Sequence, residues 1–414
     1  MRVLRVVIRC VLLAMALAGP TVVARADWRG FRGGELGSVA QGPVPPTSWA
    51  AGDEGENIAW KTPIEGRSVS GPIVVGDTAY VTSSSGYRRD RLHIVALDAE
   101  TGDVRWQREF WATGRTFCHP TSAVAAPTPA SDGEAIFALF SSNDLVCLEL
   151  DGTLRWYRGL AYDFPKAGND VGMSSSPVVV DGVVIVQIET KAKSFAAGID
   201  TATGQTRWQI DRPLESNWCS PTVIEQDGRA VVLLQSAGGL AAHDPLTGEQ
   251  LWSFDEPCAT IPSAVATDKS VLVAAGGMTA LGRSADGDKA EVLWQEQRLA
   301  PGSSSPVVFR DRIYVLARGG VLNVGDLASG ERLKSLRLKG PFWATPVVAG
   351  NYLYCFNQDG VAQVVDISTD EPEIVSEIEM GESVLASPAI VDGQLYIRSV
   401  DSVWKIAAPK RSAP

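Results

Sequence analysis

The chain has 414 residues, 45% hydrophobic and 21% charged, with 40 Gly and 24 Pro and no long acidic or basic block. That profile excludes a disordered or collagen-like chain. The formal charge of −11 argues against nucleic acid or anionic lipid as the main partner, since both need a cationic footprint.

Residues 1–26 read as a secretory signal peptide. Arg2, Arg5 and Arg9 form a basic start, Val11 to Ala18 an apolar core, and Ala24-Arg25-Ala26 a small-x-small cleavage site. The apolar run, about eight residues, is too short to cross about 30 Å of hydrocarbon. Cys10 precedes that run, so it is not placed as a lipoprotein cysteine would be. The expectation is an exported protein of the periplasm or cell envelope (secretion stays open), with no transmembrane segment. Cleavage removes four of the 37 Arg and Lys, leaving 33 against 48 acids, a mature charge of −15.

From residue 57 one phrase recurs. Small residues and Pro lead into an apolar strand, a Gly/Asp turn and a second strand. A third strand ends in Asp, and a TG-type turn then precedes a Trp. The copies span 70–106, 125–156, 175–208 and 219–252. A drifted fifth spans 261–294, a sixth and seventh without the Trp span 304–336 and 344–378, and an eighth over 386–407 stops after three strands. Each copy reads as four short strands separated by Gly, Asp and Asn turns. Such a unit cannot bury both faces alone, so the reading is all-β, an eight-bladed β-propeller of four-stranded antiparallel blades over 57–408, followed by a short tail, 409–414. The strand missing from the last blade is predicted to come from the N-terminus, where NIAWKTPI (57–64) carries Trp60. Closure of this kind removes exposed edges. Trp60, Trp106, Trp156, Trp208, Trp252 and Trp294 then share one structural position, packed between blades with the indole N–H on a turn carbonyl.

The motif A-x-D-x-x-T-G-x-x-x-W, as ALDAETGDVRW, GIDTATGQTRW and AHDPLTGEQLW, resembles the PQQ-like repeat. That repeat builds the eight-bladed quinoprotein alcohol dehydrogenases and the outer-membrane assembly factor BamB. The lead-in, with W-x-x-F-R-G at Trp28 to Gly33, also looks like the start of exported PQQ-like propeller proteins of planctomycete-type bacteria. The resemblance implies that residues 27–56 wrap the propeller's outside and dock through Trp28, Phe31 and Trp49. For the dehydrogenases it also implies PQQ on the axis with calcium, a catalytic Asp and two adjacent bridged cysteines. This sequence has no Cys-Cys pair, and no Asp matches the catalytic position. Asp98, Asp200, Asp244, Asp326 and Asp366, at third-strand ends, are expected to cap turns.

Other chemistry is sparse. Cys147 and Cys355 sit in apolar strand patterns, and a bridge between Cys219 and Cys258 is left open. His93, His119 and His243 show no metal-type spacing, and Cys118-His119 is poor geometry for a nucleophile and its base. The candidate surface is the axial funnel ahead of each first strand: Arg67, Ser68, Ser70, Ser174, Ser175, Trp218, Ser303, Ser304, Phe342 and Trp343. These suit a small polar ligand or peptide, or simply the packing of a narrow axis.

The function expected is a non-catalytic, monomeric scaffold binding or assembling proteins in the cell envelope, with the outer-membrane assembly machinery as partner class and no cofactor. The alternatives are a PQQ- and calcium-dependent dehydrogenase and a glycan-binding propeller using Trp218 and Trp343.

Overall fold

The computed structural model describes residues 27–33, 37–50, 55–168, 171–282 and 287–409. The signal peptide assigned to 1–26 and the tail beyond 409 lie outside the described residues. Eight sheets follow one another around a ring, blades one to seven spanning 73–111, 130–159, 178–211, 222–254, 265–296, 307–337 and 347–379. Blade eight joins strands within 389–406 to Ile58–Pro63, which pairs antiparallel with Ser402–Ile406 and sets Lys61 opposite Trp404. The first strands contact one another around the axis, and the fourth strands form the rim. The shared blade is where the sequence placed it.

Blades are joined mainly by the repeated Trp. Among the described residues, five of the six donate their indole N–H to a carbonyl in the third-to-fourth-strand turn of the next blade. Trp60 reaches Ala99, Trp106 Leu150, Trp156 Thr201, Trp208 Pro245 and Trp294 Leu327, at 2.8–3.3 Å. The ring lies on the Gly of that turn. A Cβ on Gly102, Gly152, Gly204, Gly248 or Gly330 would come within 2.8 Å of the preceding blade's indole, and all five have positive φ. The TG turn therefore needs Gly twice, for its backbone and for the neighbour's Trp.

Between blades six and seven both partners change together. Blade six has Lys334 at the Trp register, and blade seven has Asp370 where the Gly would be; Lys334 pairs with Glu371 beside it. Trp252 faces the drifted fifth copy and donates to Gln226 of its own blade, at 3.0 Å.

The expected Asp caps are present. Asp98 accepts the backbone N–H groups of Glu100 and Thr101; Asp200 and Asp244 repeat the arrangement, Asp326 accepts that of Ser329 and Asp366 that of Ser368. All five cysteines of the described chain are buried free thiols, so Cys219 and Cys258 are not bridged. Among the described residues no helix is long and apolar enough to cross a membrane.

Two predictions follow from the turns. Gly248 and Gly228 have nearly equal φ, +75° and +73°, but only Gly248 faces an indole. Gly228→Ala should cost about 1–2 kcal/mol for the left-handed backbone. Gly248→Ala should cost about 1–3 kcal/mol more from overpacking, read as the difference between the two urea midpoints. Hydrogen bonds from Arg105 and the Thr101 amide hold the Asp98 carboxyl down to about 2, and Arg207 with Thr203 does the same for Asp200. Depressed carboxyls stabilise above the unfolded value and lose that contribution as pH falls from about 4 to about 2. Wild-type stability should therefore fall more steeply across that window than that of Asp98→Asn/Asp200→Asn; the difference will be small, because both ion pairs lie at the surface and are screened by solvent.

Candidate functional site

Seven of the eight first strands begin at a small-residue–Pro step (blade five has Ser263-Ala264), and the N–H of the small residue is satisfied sideways. The structure does this around the circle. Gly71 N–H donates to Thr128 Oγ1, Thr128 to Ser176, Ser176 to Ser220, Ser220 to Ser263, Ser263 to Ser305, Ser305 to Thr345 and Thr345 to Ser387, all at 2.9–3.1 Å. Blade one contributes Gly71 instead of a hydroxyl, so the chain of bonds opens between blades eight and one. A Cβ there would lie 2.6 Å from the Ser387 carbonyl. That seam is held by the strand exchange, by Lys61–Glu382 at 2.9 Å, and by Lys405 donating to Ala99 O at 2.7 Å.

Several candidate funnel residues belong to the same girdle. Ser68 donates to Ala125 O, Ser70 meets Thr82 Oγ1, and Ser304 donates to Ala344 O. Arg67 donates to Pro120 O while its Nε stays buried without a partner. Ser175 Oγ is also buried and unpartnered, and Ser174 and Ser303 are half-buried. The Trp218 indole donates to Gly172 O, and Phe342 is buried. Trp343 is exposed, its indole N–H on Gln358 Oε1. Most of these contacts run between adjacent blades around the circle, while Ser70–Thr82 and Trp343–Gln358 stay within blades one and seven; the two tryptophans belong to blades four and seven.

The segment ahead of the ring was expected on the outside, yet much of it lies against the inner strands. Trp28 exchanges both backbone hydrogen bonds with Val74 of blade one, and Arg29 O accepts Ser131 N–H of blade two. Arg32 then donates to Thr222 Oγ1 and Ala264 O of blades four and five, at 3.0 and 2.9 Å. Val39–Ala40 adds a parallel strand to Val347–Ala349 of blade seven. The free edges of first strands face the axis, so this segment occupies it. Only its last part turns outward, where Trp49 is buried against Phe356 and Met380. Phe31 is half-buried beneath the Arg32 guanidinium. Burial pulls Arg32 down to about 10, so it stays cationic at neutral pH.

A second buried polar group lies between blades three and four. Glu189 Oε1 accepts from Arg212 Nε and Gln187 Nε2, both at 2.7 Å, while its Oε2 has no hydrogen-bond partner. Burial pushes the Glu189 carboxyl up, and Arg212 pulls the other way. Neither Arg32 nor the Glu189–Arg212 pair was singled out from sequence; the latter joins a strand end to a later connection, with no repeat to mark it. The histidines are engaged locally: His93 with Ser85 and Gln107, His119 with Thr121, His243 with Gly248 O. Among the described residues no three His, Cys, Asp or Glu side chains gather as a metal site.

A closed ring of eight antiparallel blades, joined by Trp on Gly and girdled by hydroxyls, is the PQQ-like class of propeller. Three overlapping stretches, 37–186, 93–256 and 253–409, match the family described as outer membrane protein assembly factor BamB, and the chain belongs to that family. No curated protein matches it. Among solved structures it is similar to BamB from Moraxella catarrhalis, at 16% identity and a TM-score of 0.62, over 86% of this chain and 98% of that one. It is also similar to a europium-containing methanol dehydrogenase, at 14% and 0.69, over 91% and 90%. A third likeness is the quinohemoprotein alcohol dehydrogenase of Comamonas testosteroni, at 14% and 0.67, over 94% and 82%. Assembly factors and dehydrogenases thus share this fold, and identities this low carry the fold alone.

The girdle makes a testable distinction. Ser220→Ala removes the acceptor of the buried Ser176 N–H and should destabilise by about 1–3 kcal/mol. Ser175→Ala removes a hydroxyl with no partner and should leave the urea midpoint within about 0.5 kcal/mol of wild type.

Proposed function

We propose that this protein is a non-catalytic scaffold of the cell envelope that binds partner proteins on its outer surface. One observation carries the reading: the chain's own residues 27–33 and 37–40 lie against the inner strands, paired to the first strands of blades one and seven. A propeller lined in this way offers its rim and its connections. Apart from blade four, where Ser253 already pairs with residues 288–290, the fourth strands lie at the rim with exposed apolar side chains, such as Val292 and Leu293 in blade five and Ile374 and Val375 in blade seven. An extended partner segment adding to such an edge gains backbone hydrogen bonds and apolar contacts together. Family membership favours a partner from the outer-membrane assembly machinery, and export to the periplasm fits that setting.

The family resemblance also implies PQQ with calcium on the axis, and the residues present do not fit that pair. The buried carboxylate Glu189 already meets a cation of the chain itself, the Arg212 guanidinium. A calcium ion there would face that fixed positive charge. The adjacent cysteine pair is missing from the sequence.

The test has two arms. Purified protein given PQQ and Ca²⁺ should develop no bound-quinone spectrum and reduce no dye; a clear signal in both would overturn the scaffold reading. Crosslinking in envelope extract should recover an outer-membrane assembly component with wild type and at least about fivefold less with Val292→Asp/Leu293→Asp. Equal recovery with the variant would remove the blade-five edge as the docking strand.

A further inference from the structure

The two faces of the disc differ. Antiparallel blades put the second-to-third-strand turns and the blade-to-blade connections on one face, and the other turns on the opposite face. Among the described residues, every exposed aromatic side chain lies on the connection face: Tyr87, Trp111, Phe117, Tyr162 and Trp343. Four of them belong to blades one and two, with exposures of 103%, 61%, 61% and 75% for Tyr87, Trp111, Phe117 and Tyr162. They stand on the two longest connections and the hairpin beside them.

These elements are tied into one ridge. His119 N–H donates to Val171 O across the two connections at 2.9 Å, Tyr157 OH to Trp111 O at 2.9 Å, and Arg89 to Cys118 Sγ at 3.3 Å. The rings are therefore held out in water by a fixed support. Arg91 lies over Trp111 at 5.6 Å and Arg115 over Phe117 at 5.7 Å. Stretches 86–91, 111–122 and 158–171 carry six Arg and Lys against three Asp, a local charge of +3 in a chain of −11.

We infer that this ridge docks the propeller on an anionic lipid surface. Trp and Tyr rings gain most at headgroup depth, where the ring body leaves water and the polar edge keeps it, and Phe117 adds apolar area beside them. Guanidinium groups beside them meet the lipid phosphates. The rings stand on separate elements, a hairpin and two connections; two surface depressions lie elsewhere, beside Arg312 and Asp370 and beside Asp77 and Arg105. A bilayer accepts separate protruding rings without shape complementarity, which a folded protein partner would require. The chain's overall acidity does not prevent this, because charges beyond about 8–10 Å are screened at physiological salt. Net charge alone hid the patch. The inference does not depend on a partner docking at the rim.

Flotation with vesicles of phosphatidylcholine alone, and of phosphatidylcholine and phosphatidylglycerol in equal parts, tests it. Wild type should float with the anionic vesicles only, its Trp emission shifting to the blue. Trp111→Ser/Phe117→Ser/Tyr162→Ser should lower partitioning at least about tenfold with an unchanged melting curve. Arg88→Gln/Arg91→Gln, which leaves the rings in place, should lower it about tenfold and weaken its salt dependence. Absence of wild-type binding, or binding that survives both variants, overturns the inference. So does capture of a polyglutamate peptide by wild type in place of vesicles, which would assign the ridge to an acidic protein segment.

Discussion

The contact on which the ring depends is a tryptophan laid on its neighbour's glycine. A single blade cannot complete it: the Trp comes from one fourth strand, while the Gly and the accepting carbonyl come from the next blade's turn. Each blade is thus finished only when the following one is present, and the last must meet the first. Trp60 on Gly102 makes that final contact, which is why the N-terminal strand belongs to blade eight. A short-range interaction repeated around a circle thereby becomes a condition on the whole chain. Substitution has followed the pair, since blades six and seven replace indole and glycine together with Lys334, Asp370 and Glu371.

The hydroxyl girdle does for the inner strands what the tryptophans do for the outer ones. Its seven bonds satisfy backbone donors beside the axis, six of them just ahead of a proline, each reaching to the next blade. Both systems meet at the seam between blades eight and one, where the girdle is interrupted at Gly71. Strand exchange, Lys61–Glu382 and Lys405 on the Ala99 carbonyl take over there. Residues 27–33 and 37–40 then lie against the inner strands, where their backbone pairs with edges that would otherwise lie open.

The repeat, the eight blades and the shared last blade were legible in the sequence because each rests on local signals in constant phase. The Trp row was legible as a position but not as a pair, because its glycine belongs to the next copy and means little until the blades are set side by side. The serines before each first strand stood out as clusters; that they form a girdle depends on ring closure, which no window of sequence contains. The N-terminal path was misread for a related reason. Residues 27–50 have no repeat phase, and Arg32 finds its partners 190 and 232 residues away.

The same repeat accounts for the chain's acidity and for where it lies. Every capping Asp of the repeat sits in a third-to-fourth-strand turn, so copying the blade copies negative charge onto the face opposite the connections. The second-to-third-strand hairpins and the connections carry no such requirement and vary in length and composition, which left the hairpin at 86–91 and the two longest connections free to carry basic side chains and exposed rings. A disc built this way has a direction: its acidic face is fixed by turn chemistry, while the basic, aromatic patch on the other is not demanded by the fold. Near an anionic surface the acidic face is repelled and the patch attracted, so the molecule is turned before it touches. That bias leaves the rim, with its fourth strands, accessible from the side, so one orientation serves both a surface below and a protein partner alongside.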